Sequence, residues 1–212
     1  MRILACLALA SLLAAAPAGD APALYSNDFS KLSPGKLPDD QFLALAGEFA
    51  VKDVDGNRLL ELAGTPLDSF GLLFGPTADA PTGTVSARIW AATTGQRFPE
   101  FGVGLDDAGG HKLWLMPRQK LIALRKGDET VATAPYPGWK NETWTRLTLR
   151  VAKAGDGAWT VRGKAWPDGS AEPKDWTISF DDTAEPTPGR PSVWGNPYSG
   201  QPIRFDDLTF TK

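Results

Sequence analysis

The sequence predicts an all-β protein, a two-sheet antiparallel β-sandwich, and three observations carry that expectation. After the opening residues no stretch keeps a helical period, whereas short runs of alternating apolar and polar residues recur between turn signals. Glycine and proline are abundant, at 22 and 18 residues, as many short strands joined by tight turns require. No linker, repeat or charge block divides the chain, so the strands are expected to share one domain.

The first residues read differently. Met1-Arg2 lead into an apolar run from Ile3 to Ala16, closed by Pro17-Ala18, which is the pattern of a secretory signal peptide over residues 1–18. The run falls short of the roughly 20 apolar residues that span a bilayer. The one cysteine, Cys6, lies within it, so the domain over residues 19–212 is expected to carry neither disulfide nor thiol chemistry. That suits a bacterial protein exported to the periplasm or secreted, with no integral membrane segment after cleavage. About 190 residues remain, enough to bury roughly 70% of the unfolded surface without staples. The 22 Lys+Arg against 25 Asp+Glu leave a net charge of −3, which gives no global attraction to nucleic acid.

The elements follow in order. Phe49-Ala50-Val51 and Leu59-Leu60-Glu61-Leu62 flank an Asp-Gly turn at Asp55-Gly56, a β-hairpin signal. Ser69 to Phe74 follows, and then Thr84 to Ala91, where Val85, Ala87 and Ile89 oppose Ser86, Arg88 and Trp90. Phe101 to Leu105 turns through Asp106 to Gly110 into Lys112 to Met116. Leu121 to Arg125 and Glu129 to Ala134 pair across Gly127-Asp128. In Trp144 to Val151, Leu147, Leu149 and Val151 oppose Arg146, Thr148 and Arg150. Ala158 to Trp166, Asp175 to Phe180 and Ile203 to Phe210 complete the set.

Several stretches resemble the concanavalin A-like lectin/glucanase superfamily, including its laminin-G-like jelly rolls. They are Tyr25-Ser26-Asn27-Asp28-Phe29, Gly83 to Arg88, Trp144 to Leu149, Gly189 to Gly195 and Phe205-Asp206-Asp207-Leu208. The resemblance spans nearly the whole chain after the leader and implies a jelly roll that binds or processes saccharides. The Glu-x-Asp-x-x-Glu pattern of its glycoside-cleaving members is absent, as is the Arg, His and Tyr combination of its alginate-lyase members. A fold alone does not choose among functions.

Candidate site residues come from the strand phases. Trp90, Trp114 and Trp166 each fall opposite an apolar set, where an outward indole offers a sugar ring a flat face. Arg88 and Arg162 share such positions and Arg118 follows the Trp114 strand, so guanidinium forks would suit an acidic saccharide. Gly102 and Gly104 stand where missing side chains deepen a groove or admit a neighbouring chain. Glu100 is the best catalytic acid or base, although no carboxylate stands two or five residues on. The resemblance adds a further expectation: the termini of such folds pair and related jelly rolls hold a structural calcium there, which makes Asp28 and Asp206 candidate ligands; no other cofactor is implied. The apolar phase also switches between Phe205 and Leu208, which a bulge at Asp206 would explain. The leading function is an exported carbohydrate-binding domain. The alternatives are a glycan hydrolase or lyase using Glu100, oriented by Arg118 or Arg88, and an envelope or interaction domain without a sugar site.

Overall fold

The computed structural model describes residues 23–64, 68–155 and 157–212. The expected leader, Cys6 and the cleavage point lie outside the described residues. Fifteen strands and no helix occur among those described, so the chain is all-β as its alternation implies. In chain order they are β1 (Ala23–Asn27), β2 (Phe42–Ala44), β3 (Phe49–Val54), β4 (Asn57–Leu62), β5 (Phe70–Phe74), β6 (Gly83–Ala91), β7 (Glu100–Gly104) and β8 (His111–Met116). The second half contributes β9 (Leu121–Lys126), β10 (Glu129–Pro135), β11 (Thr143–Gly155), β12 (Ala158–Pro167), β13 (Ile178–Asp182), β14 (Ser192–Asn196) and β15 (Ile203–Thr211).

Two antiparallel sheets form the sandwich. The eight-stranded sheet runs β13-β12-β11-β6-β15-β4-β3, with β1 also on β15; the seven-stranded sheet runs β10-β9-β8-β7-β14-β5-β2. Between them lies one apolar core. Val85, Ala87 and Ile89 of β6, Leu147 and Leu149 of β11, and Phe205 of β15 meet Phe101 and Val103 of β7, Leu113 and Leu115 of β8, and Leu72 and Phe74 of β5. Along the central strands such as β6 and β11 every second residue therefore faces inward, which is why a period of two was visible before any pairing was known.

Local chemistry sets the turns. Between β3 and β4, Asp55 and Gly56 both take left-handed backbone, with φ of 54° and 82°, and Asp53 Oδ1 accepts the Gly56 amide at 3.1 Å. That is the two-residue turn whose twist matches the flanking strands. The expected bulge is present in β15: its register against β6 shifts between Asp206 and Thr209, and Asp207 has a φ of 50°. The same offset lets β15 leave β4, which it meets at Ile203 to Phe205, and take up β1 at Leu208 to Thr211. One expected strand starts late. Asp175 to Thr177 stay outside β13, and Trp176 turns to the ammonium of Lys164, 4.8 Å from the ring centre.

Candidate functional site

The outer face of the seven-stranded sheet is laid out in rows across its strands. The central row reads Thr133, Ala123, Trp114, Gly102, Trp194 and Gly71; the next reads Thr130, Arg125, Lys112, Gly104, Ser192, Leu73 and Leu43. Trp194 lies flat across this surface because glycines stand under it. A Cβ on Gly71 would sit 2.6 Å from the indole ring, and one on Gly104 would sit 3.0 Å from its Nε1 and 2.6 Å from Ser192 Oγ. Trp194 Nε1 donates to that hydroxyl at 2.8 Å. A Cβ on Gly102 would collide with the Leu113 carbonyl of the neighbouring strand. Gly102 and Gly104 thus admit neighbouring chain and an indole, the second of the two roles a strand glycine suggests.

Trp114 does face outward, as its strand phase implies, but it is no open platform. Its ring centre is 6.5 Å from that of Trp194, Arg125 lies 5.0 Å above it, and only 2% of the residue is exposed. Lys112 covers Trp194 in turn, 4.4 Å from its ring, and ties the loops on either side by donating to Ala108 O at 2.6 Å and Gly127 O at 3.0 Å. Burial lowers the Lys112 pKa. The centre of this face is therefore a closed aromatic floor.

The opening is at one end of that floor. Arg97, Phe98, Glu100, Arg118, Gln119 and Tyr198 line a cleft of about 340 Å³. Glu100 starts β7 beside Asn196, the last residue of β14, whose Nδ2 donates to Glu100 Oε2 at 3.2 Å. Asn196 Oδ1 is buried and has no partner, and neither has the nearby buried Trp114 Nε1. Burial, then the charge of Glu100, raise the Tyr198 phenol above its ordinary pKa. Of the residues picked out in the sequence, Glu100 and Arg118 come together here. Phe98 and Tyr198 were missed, because they sit in loops without alternation; an aromatic inside the turn Pro197-Tyr198-Ser199-Gly200 was the available signal.

Arg88, Trp90, Arg162 and Trp166 lie on the opposite outer face, that of the eight-stranded sheet, so the outward Trp and Arg residues do not form one groove. Arg88 reaches Asp206 at 2.6 Å, Asp207 at 3.4 Å and Asp168 at 3.5 Å, with its guanidinium 4.7 Å over Trp144. Arg146 reaches Asp168 at 2.5 Å and Asp207 at 2.7 Å. The fork of Arg88, read as a holder of ligand carboxylates, is thus already filled by the chain's own. Trp90 lies under Arg204, 4.5 Å away, and Trp166 is 6% exposed beside Lys164.

The calcium expectation needs correcting in its geometry. Asp28 is exposed and its Oδ1 takes the Ser30 amide and hydroxyl, while Asp206 is bonded to Arg88 and Asn57. The bulge turns Asp206 onto a guanidinium rather than toward Asp28. Among the described residues no group of three His, Cys, Asp or Glu is placed to hold a metal.

A buried polar cluster went unread in the sequence. His111 is 1% exposed, and its Nε2 lies 3.0 Å from Asp182 Oδ2, which Lys126 Nζ also reaches at 2.6 Å. Burial lowers the His111 pKa despite Asp182. Its phase, shared with Leu113 and Leu115, was the signal for an inward side chain. Nearby Asp106 is raised to about 7 by burial and then by Asp107.

The folded chain is a two-sheet jelly roll of the lectin type. Similar solved structures include the carbohydrate recognition domain of Emp47p, with a TM-score of 0.58 and 10% identity over 93% of this chain and 99% of that one. The exoplasmic/lumenal domain of VIP36 in its Ca²⁺- and Man2-bound form gives 0.56 and 9% over 89% and 87%. A galectin-like protein of unknown function from Bacillus subtilis gives 0.58 and 12% over 89% and 95%. At such identities the shared property is the fold. No protein-family model matches the sequence, and no curated protein matches it.

Proposed function

We propose that the chain is an exported carbohydrate-binding domain whose ligand, an acidic saccharide, enters the cleft at the Glu100 end of the seven-stranded sheet. One observation carries this reading. Arg97 and Arg118 line that cleft with no carboxylate in ion-pair range among the described residues, beside the rings of Phe98 and Tyr198. Guanidinium forks hold a uronate or sulfate group through paired charge-assisted bonds, and aromatic rings pack on the apolar face of a sugar. Glu100 adds acceptors for hydroxyl groups, held from behind by the Asn196 Nδ2 donor. The carbohydrate recognition domains of similar fold support the ligand class, and the Ile3–Ala16 run supports export. Binding is preferred to cleavage because the described residues lining the cleft supply one carboxylate, Glu100, where hydrolysis uses two.

A glycan array probed with wild type and Arg118→Gln tests the reading. Wild type is expected to prefer uronic-acid or sulfated oligosaccharides, and the variant to lose about tenfold in affinity for them, the worth of one charge-assisted bond. Absence of binding to every glycan, or equal binding by the variant, would overturn it.

A further inference from the structure

The outer face of the eight-stranded sheet carries two arginine pairs placed directly opposite each other across neighbouring strands. Arg146 of β11 faces Arg88 of β6, and Arg150 of β11 faces Arg162 of β12. Like charges in directly opposed positions destabilise a sheet unless something neutralises them. The first pair shows how this chain does so, by bringing Asp168, Asp206 and Asp207 against it from two other segments. The second pair has no such answer. Among the described residues, no carboxylate comes within ion-pair distance of Arg150, Arg162 or the adjacent Lys153.

The row through this second pair is polar throughout. Ser179, Arg162, Arg150, Thr84 and Thr211 succeed one another across five strands. Beside it Arg150, Lys153, Thr160 and Arg162 line a notch of about 190 Å³. Asp181 is the acid bonded at its edge, and it takes the Thr160 hydroxyl at 3.2 Å rather than any of the cations. Two exposed guanidinium forks with free donors beside a concave surface match the shape and charge of a tetrahedral oxyanion, while Lys153, of the opposite strand phase, holds its ammonium 5.9 Å from the Trp159 ring.

We propose that Arg150 and Arg162 form a binding notch for a phosphate or sulfate group carried by a larger molecule, on the sheet opposite the saccharide cleft and independent of it. The anion does for this pair what the three aspartates do for Arg88 and Arg146. Binding is accordingly salt-sensitive, since the cations are exposed and screened at high ionic strength.

The test titrates inorganic phosphate, and separately inorganic sulfate, into the isotope-labelled domain at low ionic strength, following the arginine Nε–H resonances and the β11 and β12 amides. Saturable shifts at Arg150 and Arg162 in the millimolar range are expected, with affinity falling at least about tenfold in Arg150→Gln/Arg162→Gln. A charge-matched variant, Lys36→Gln/Lys140→Gln, is expected to titrate as wild type does. Without anion, the arginine variant should melt no lower than wild type, because it loses a like-charge contact. Vesicles of phosphatidylglycerol, compared with phosphatidylcholine, identify who presents the group. Sedimentation with the first alone, lost in the arginine variant, assigns a lipid phosphate; titration by free anion without sedimentation assigns a soluble ester. Either upholds the notch. No saturable shift with either anion, an unchanged midpoint in the arginine variant, or an equal loss in the charge-matched one would overturn it.

Discussion

Arg88 shows how far a single residue can be read before its neighbours are known. Its outward phase on β6 was plain from the alternation of Val85, Ala87 and Ile89. Its partners were not, because Asp168 lies 80 positions away and Asp206 118 positions away in the chain. The consequence is energetic. Asp206 is 1% exposed; Arg88 and the Asn57 amide reach its Oδ2 and the Asp207 N–H its Oδ1, so Arg88 supplies the charge. Arg88→Met is expected to cost about 3 kcal/mol by leaving a buried carboxylate short of charge, and Arg88→Met/Asp206→Leu to recover most of that. Chemical denaturation of the two variants checks both; equal stability of Arg88→Met and wild type would show the network to be ornamental. Trp114 carries the same lesson, since its burial depends on Trp194, which arrives from β14.

The elements were more legible than their partners. β6, β8, β11 and β12 announce themselves because one face of each meets the core along its length. β2 has three residues and pairs only with β5, so it left no periodic trace. The β7–β8 connection was visible as a turn through Asp106 to Gly110, but its chemistry was not. Asp106 and Asp107 both take left-handed backbone, with φ of 67° and 60°, and Asp107 exchanges backbone and side-chain bonds with Arg190. Asp106 Oδ2 is left buried without a partner.

Asp106 in this loop and His111 at the start of β8 contribute opposite slopes to the pH dependence of folding. Asp106 is raised from 3.8 to about 7, so its contribution is fully present below pH 4 and is lost as pH rises to about 7. His111 is shifted the other way, below 6.5, so its contribution is present above pH 6.5 and is lost as pH falls. Between pH 4 and 6.5 the two slopes oppose each other. Asp106→Asn keeps the shape and tolerates the left-handed backbone. It removes the loss at higher pH, so the variant should gain stability relative to wild type between pH 5 and pH 8, by an amount on the order of a few kcal/mol. Melting curves across that interval check this, and parallel profiles for the two proteins would contradict it.

At the scale of the whole molecule, the sandwich was legible and the assignment of strands to its two sheets was not. Alternation states which residues share a face of one strand, but register between strands far apart in sequence decides which sheet that face belongs to. Arg88, Trp90, Arg162 and Trp166 therefore went to one outer face and Glu100, Gly102, Gly104, Trp114 and Arg118 to the other. The two faces differ in character. One is a closed aromatic floor with a cleft at its end, the other a field of ion pairs that opens at the Arg150–Arg162 notch.

The position of the saccharide site is tested most directly by mapping backbone amide shifts on adding an oligomer of a uronic acid. Shifts confined to residues 96–101, 117–120 and 196–200 are expected, with the β6, β11 and β15 amides around Arg88 and Trp144 unmoved. Shifts centred on that opposite face, or no shifts at saturating ligand, would contradict the cleft as the binding site.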